Sequence, residues 1–386
     1  MKRAIFAIAA CLAGTGALQA LDFQELTPKD PAAMALGGCF TSVQTAETSF
    51  FGNPAYFSDS KGGLDISTDA WAYVQPTYAN LSALRKAVSG SNVVGDLASL
   101  MPSDDGIGGG ASLGIGYAGK GLGMGLFAIT DDYAAGTSLP GATLQSDTEL
   151  DAVFGLGIPI KLFGDTLSIG GDFRPYYRVR SNEALADMVT SLIQGGGSDF
   201  SSAFLGAVQT YAGFGLSMDA GASMRMGSFD LGLAVRDISP AFPLWKGSFQ
   251  DLLDYIRDEG SLPVTSNTST KATFIPDLSL GLAWRPRIAP GKLDPALFLE
   301  AQDPVRVAEN WQGWASALQM IHAGAELKIL NFLSLRGGIN RGWLSAGAGL
   351  KLLFLDLDAA VFTEELGDLP GDSPRSGLAL QASLRF

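Results

Sequence analysis

From 166 to 180 the chain alternates. Leu167, Ile169, Phe173, Tyr177 and Val179 hold odd positions, while Ser168, Asp172, Arg174, Arg178 and Arg180 hold even ones. A strand points successive side chains to opposite faces, so this stretch predicts one greasy face and one charged face. The same period recurs over 229–236, 277–285, 322–329 and 378–386. The alternating segments run to about ten residues, the length of a tilted membrane crossing, whereas strands of soluble sandwiches average about five or six. A soluble β-sandwich is the competing reading. Tight links at 163–165, 227–228 and 330–331 contrast with a long excursion over 239–272. Short turns on one side and long loops on the other are the outer-membrane pattern.

These segments predict an all-β fold: a transmembrane antiparallel β-barrel of about fourteen strands. They begin near Leu64, Gly110, Gly121, Thr148, Thr166, Thr210, Phe229, Thr273, Asp294, Leu318, Phe332, Trp343, Leu355 and Arg375. Closure follows from the medium, since an open edge in lipid leaves backbone groups unpaired. Parity places both termini on the periplasmic side. Tyr73, Tyr117, Tyr133, Tyr177, Trp284 and Trp343 fall near strand ends and read as interfacial girdle residues. Helical spacing appears over 183–194 and 249–259, and more weakly over 81–88. Ser248 is the expected N-cap of the second, and Gly260 its terminator. Their apolar faces either pack on the barrel rim or collect a ligand; periodicity alone separates neither.

Composition sharpens this picture. Mean hydropathy is +0.20 and charged residues make up 17%, which suits strands whose outer face meets lipid. The net charge of −13 has the same sign as a phosphate backbone, whose binding needs the opposite one, so no nucleic-acid partner is expected. Lys2 and Arg3, an apolar run over 4–13 and Ala17-Leu18-Gln19-Ala20 read as a signal peptide, residues 1–20, cleaved before Leu21. A lipoprotein signal at Ile8-Ala9-Ala10-Cys11 is the alternative. Removal of residues 1–20 leaves Cys39 as the one cysteine.

Residues 21–63 do not read as strands. They carry Phe23, Met34, Leu36, Phe40, Phe50, Phe51, Tyr56 and Phe57, too apolar for a tail, and are expected to plug the lumen of a barrel spanning 64–386. Within this segment stand Ala35-Leu36-Gly37-Gly38 and, some fifteen residues on, Asn53-Pro54-Ala55. The stretch resembles the N-terminal hatch of FadL-type outer-membrane long-chain fatty-acid transporters. Hairpins such as DAGASMRMGSFDLGLAVRDIS are similar to those of the FadL-like, PorV-related branch found in spirochaetes.

The resemblance implies a hatch built on Gly37, Gly38, Phe50, Phe51, Asn53, Pro54 and Ala55. It implies capture of long-chain fatty acids or other hydrophobic compounds at external loops. Release follows sideways through a kink in the third strand, here Gly121, Gly123 and Gly125; Pro159 and Pro175, each lacking a ladder donor, mark further candidate distortions. Phe386 then acts as the signal read by the barrel-assembly machinery. A PorV-like scaffold for secreted proteins and a general porin are the alternative functions.

Arg174, Arg178, Arg180, Arg236 and Asp172 are the inward charges expected to contact hatch or ligand. Ion pairing is the default for such groups, because unpaired charge in a confined space is costly. His322 is the one histidine and has no Cys or second His beside it, so neither a metal site nor a Ser-His-Asp arrangement is expected. No cofactor and no enzymatic activity are anticipated. The expected partners are outer-membrane lipids and a hydrophobic ligand, with the chain a monomer.

Overall fold

The computed structural model describes residues 20–22, 26–59, 61–74, 106–135, 143–162, 164–184, 205–309, 311–367 and 369–386. The signal peptide, apart from Ala20, and the helices expected over 81–88 and beyond 184 lie outside these residues. In chain order the strands are β1 (Ala20–Asp22), β2 (Gly63–Tyr73), β3 (Ile107–Gly119), β4 (Leu122–Ala135), β5 (Thr143–Leu162), β6 (Asp165–Ala184), β7 (Gln209–Met226), β8 (Phe229–Arg236), β9 (Phe242–Pro243), β10 (Trp245–Ser248), β11 (Lys271–Thr273), β12 (Asp277–Trp284), β13 (Leu293–Gln302), β14 (Ile321–Ile329), β15 (Leu333–Asn340), β16 (Trp343–Leu352), β17 (Leu355–Glu365) and β18 (Pro374–Arg385). Helices are α1 (Pro31–Ala35), α2 (Ala46–Phe51), α3 (Phe249–Glu259), α4 (Pro304–Glu309) and α5 (Trp314–Leu318), with a 3-10 turn at Pro54–Ser58.

Fourteen of the strands, β2–β8 and β12–β18, pair antiparallel in sequence order. β18 returns to β2, so the ladder closes into a barrel. The expected starts agree closely; the largest shift is at β5, which begins at Thr143 rather than Thr148. Burial runs opposite to that of a soluble sheet. Leu113, Leu126, Leu156 and Ile158 face outward at 60–64% exposure, while Asp147, Glu149, Asp151, Arg174 and Arg178 are buried inside. An apolar outside around a charged inside is a wall made for lipid.

Turn chemistry follows local sequence. Leu330-Asn331 closes the β14–β15 hairpin with two consecutive positive φ angles, 50° and 58°, the twist that hairpins favour. Arg341-Gly342 does the same at the opposite barrel end, so one external connection is also short. Around α3, Ser248 and Asp251 form a reciprocal cap and Gly260 ends the helix at φ 65°. Leu252 and Ile256 of α3 pack on Tyr177, Val179 and Trp245, on the outer face of the rim.

Three local expectations need correction. Tyr73 and Tyr133 are not girdle residues: they turn inward and stand against the Arg375 guanidinium, 3.8 and 5.1 Å from their ring centroids. The third barrel strand, β4, shows no gap. It pairs with β3 from Leu122↔Gly119 to Ala134↔Ile107, and with β5 from Leu122↔Leu156 to Ala135↔Thr143. Gly121 lies in the preceding turn at φ 90°, and Gly123 and Gly125 are ladder residues. Where distortion does occur, other residues cause it. Pro175 and its neighbour Arg174 interrupt the β5–β6 ladder between Tyr176 and Phe173, since proline offers no donor, whereas Pro159 pairs in register.

Candidate functional site

The N-terminal segment 26–59 lies against the inward positions of the wall. Eleven inward glycines make room for it. They are Gly116 on β3, Gly123 on β4, Gly155 and Gly157 on β5, Gly170 on β6, Gly221 on β7, Gly232 on β8, Gly281 on β12, Gly324 on β14, Gly338 on β15 and Gly347 on β16. A methyl group at any of them would fall within 3.0 Å of a segment atom, closer than real side chains approach. Phe57 fills the notch at Gly123 and Gly155, Pro54 that at Gly170, and Leu36 that at Gly324. Polar wall residues then bond the segment's backbone. Glu300 accepts from the Phe40 and Thr41 amides at 3.2 and 2.9 Å, and Gln302 donates to the Gly38 carbonyl at 2.8 Å. Arg236 donates to the Phe51 carbonyl at 3.0 Å, and Arg285 to that of Ser42 at 2.9 Å. His322 Nδ1 stands 2.7 Å from the Gly37 carbonyl and serves as an anchor rather than a ligand.

Each quoted motif has a mechanical reason. Gly37 and Gly38 adopt φ 74° and 77°, and a side chain on Gly37 would strike the Ile339 and Ala323 carbonyls. Asn53 caps the 3-10 turn by accepting from the Ala55 amide at 3.0 Å, and its amide donates to the carbonyls of Thr41 and Ala222 at 3.1 and 3.2 Å. Pro54 occupies the first helical position, where its missing N–H costs nothing, and Ala55 is fully buried. Phe50 and Phe51 pack on Phe127, with ring centroids 5.1 and 4.9 Å apart. Asp59 and Phe57 accept from the amides of the Lys120-Gly121 turn at 2.5 and 2.7 Å. Gly121, expected in a kink, thus helps tie the segment down.

The inward charges separate into two groups. Arg236 and Arg174 touch the N-terminal segment; the Arg174 guanidinium lies 5.2 Å from the Phe51 ring centroid. Arg174 also pairs with Asp237 at 2.7 Å and Asp219 at 3.7 Å. Asp237 is a bulge residue at φ 55°. Below it Ala220 faces Val235, and above it Met218 bonds Ile238, so the β7–β8 register slips by one. The amide freed by this slip donates to Asp219 at 2.8 Å. Asp172 stands directly across the ladder from Asp219. Arg178 and Arg180 stand farther along the same face of β6, across from acids of β5. They pair with Asp147 at 2.9 and 3.8 Å, and Arg178 with Glu149 at 3.4 Å. Asp230 pairs with Arg225 and Arg285. The partners Asp147, Glu149 and Asp237 were missed, although the acids at every second position of β5 were a readable signal.

On the outer side of the segment, lumen-facing Tyr176, Phe242, Leu244 and Ala272 form an apolar cluster with Tyr211 and Phe274 packed against it. On the periplasmic side, a polar recess of about 680 Å³ is lined by Asp30, Glu47, Asp65, Arg336, Asp358 and Arg385 among others. Burial, with the Asp358 and Asp69 charges adding to it, pushes the Asp30 carboxyl up to about 6. Among the described residues no group of His, Cys, Asp and Glu is arranged to hold a metal ion.

No family model matches the chain, and no curated protein does. Among solved structures, a Pseudomonas putida toluene transporter, TodX, aligns at 12% identity and TM-score 0.46, covering 94% of this chain and 98% of that one. The CymD monoaromatic hydrocarbon channel gives 11% and 0.48, with 92% and 96% covered. A Pseudomonas aeruginosa FadL homologue gives 12% and 0.44, with 94% and 98% covered. Likeness at this level leaves the functional reading to the geometry.

Two predictions follow from the packing of the segment. Gly338→Leu puts a side chain into the Gly37 backbone, and overpacking of this kind costs about 1–3 kcal/mol. Denaturant unfolding in detergent should show that loss, whereas leucine at the open turn residue Gly227, despite its φ of 62°, should leave hydrogen exchange of the segment unchanged. A raised carboxyl favours the protonated folded form, so the Asp30 contribution is full below about pH 4 and lost as pH rises through about 6. Exchange protection of the α1 amides should therefore fall between about pH 4 and about pH 6 and level off above that, and fall less in Asp30→Asn, which keeps the cap without the charge.

Proposed function

We propose that the chain carries hydrophobic small molecules, long-chain fatty acids among them, across the outer membrane of a diderm bacterium. The observation that carries this reading is the apolar cluster of Tyr176, Phe242, Leu244 and Ala272, turned into the lumen outside a tightly seated N-terminal segment. A water-filled porin lumen has no use for a greasy surface there, whereas a fatty acid leaving water does. The external loops capture the ligand, the cluster receives its hydrocarbon, and segment 26–59 acts as the hatch whose movement lets it proceed. Release sideways into lipid spares an apolar ligand the charged periplasmic recess. The arginines already engaged by Asp147, Glu149, Asp219 and Asp237 serve the wall rather than a ligand carboxylate.

The test pairs conductance with uptake. Purified protein in planar bilayers should pass almost no steady ion current, and cells carrying it should take up a fluorescent hexadecanoic acid analogue faster than cells without it. A large steady conductance with no gain in uptake would place the chain among general porins instead.

A further inference from the structure

Three acids meet without a cation where the N-terminal segment touches the wall. Asp30 caps α1, Glu47 stands in the first turn of α2, and Asp69 points inward from β2. All three are buried, and among the described residues none of them makes an ion pair. The charges around them are engaged with one another. Arg336 of β15 pairs with Glu326 at 2.9 Å and with Asp358 of β17. Arg385 of β18 pairs with Asp65 and Asp356 at 3.3 and 3.0 Å. Lys351 of β16 stands 4.0 Å from Asp356, and Lys328 of β14 3.2 Å from Glu326. Lys29 and Arg375 hold Glu364 of β17 at 2.6 and 2.8 Å. Asp59 and an exposed Lys61 also line the recess, and β3 offers Ser112 opposite Asp69.

The donors decide which carboxyl is charged. Asp69 accepts from the Ser112 hydroxyl and, at 2.8 Å, from the Gln381 amide, one on each oxygen. Asp30 accepts from the Ala32 amide at 2.8 Å and the Thr45 hydroxyl at 2.9 Å, again one on each oxygen. Both are served as carboxylates. Glu47 is not: it is 6% exposed, lines the recess, and neither of its oxygens receives a hydrogen bond. The groups nearest it are the Asp69 carboxyl and the Ser67 hydroxyl. Two carboxylates repel at such range, whereas a carboxyl and a carboxylate share one proton in a charge-assisted hydrogen bond. The first turn of a helix favours negative charge, but here no backbone amide reaches the Glu47 oxygens. Burial, with the Asp69 and Asp30 charges adding to it, pushes the Glu47 carboxyl well above the usual carboxylate range.

We propose that segment 26–59 is latched to the wall by one proton, carried by Glu47 of α2 and donated to Asp69 of β2. The recess gives that proton a route to water, so the latch answers to the pH on the periplasmic side. Once ionised, Glu47 faces two acids, and the neighbouring arginines are already taken by other carboxylates. The α2 end of the segment then loosens, while Glu300, Gln302 and His322 keep the stretch from Gly37 to Thr41 in place. The latch rests on the seating of the segment and is independent of what the barrel carries.

The test is hydrogen exchange of the α2 amides in the mature protein in detergent, corrected for the intrinsic effect of pH on exchange. A proton held only in the folded state changes the opening equilibrium by up to about tenfold per pH unit. The Asp30 contribution levels off at about pH 6, so a further fall above that reports Glu47. Between about pH 6 and about pH 8 protection should drop about tenfold or more. Glu47→Gln, whose amide donates to Asp69 at every pH, should abolish the drop. Asp69→Asn, whose amide donates to Glu47, should abolish it too, and decides the matter if the first variant does not fold. A drop that persists in either folded variant overturns the latch, as does level protection in the unaltered protein. Recovery of protection at about pH 8 on adding calcium chloride alone would assign the acids to a cation and overturn the proton.

Discussion

Everything inside this barrel depends on how closely one backbone can approach another. The N-terminal segment does not float in a roomy lumen; its chain runs against the wall, and the wall answers with glycine. At Gly338, for instance, the Gly37 amide occupies the space a Cβ would need. Close approach excludes water, and exclusion of water obliges every buried peptide group to find a partner. Glu300, Gln302, Arg236, Arg285 and His322 are those partners, gathered on the neighbouring strands β8, β13 and β14 and just past the end of β12. Notch and anchor act together: the glycine gives distance, and the polar neighbour gives direction.

Charge in the lumen obeys the same rule. Arg174 and Arg178 are almost fully buried, and each is held by at least two acids. Removing one partner from such a set strands the others, at about 3–5 kcal/mol. The Asp237 bulge shows how backbone and charge are joined. One extra residue in β8 frees an amide, Asp219 takes it, and the displaced carboxylate turns to Arg174 and Ser217. That single slip also marks where regular pairing with β7 gives way to the irregular outer wall.

The barrel was legible because lipid and water impose a period of two that few other environments demand. Strand starts could be read to within a few residues, and the cap of α3 was visible in Ser248 and Gly260. The motifs of the N-terminal segment were legible as motifs, but their work was not. Asn53 stands in the sequence only as the head of Asn53-Pro54-Ala55, while its cap of the 3-10 turn and its bond to the Ala222 carbonyl, which joins residues distant in the chain, belong to the fold. Glycines were visible as an excess, and only the ladder tells which face each occupies. Tyr73 and Tyr133 sat near strand ends, where parity rather than position decides between lipid and lumen. Glycines around the third strand suggested a kink, whereas departures from regular pairing arise at Pro175, which its missing donor announces, and at Asp237, where no local composition does.

Cys39 reports most directly on whether segment 26–59 is seated as described. Its side chain has no exposure, packed with Leu36, Val43, Ala283 and Phe298 between segment and wall, and burial beside Glu300 pushes its thiol further from the reactive thiolate. The measurement is the rate of maleimide labelling of mature, folded protein in detergent against the same protein in denaturant. Protection in the folded state, with full labelling on unfolding, is the predicted result. Labelling of the folded protein as fast as the unfolded would mean that the segment does not occupy the barrel, and the account would fail at its base.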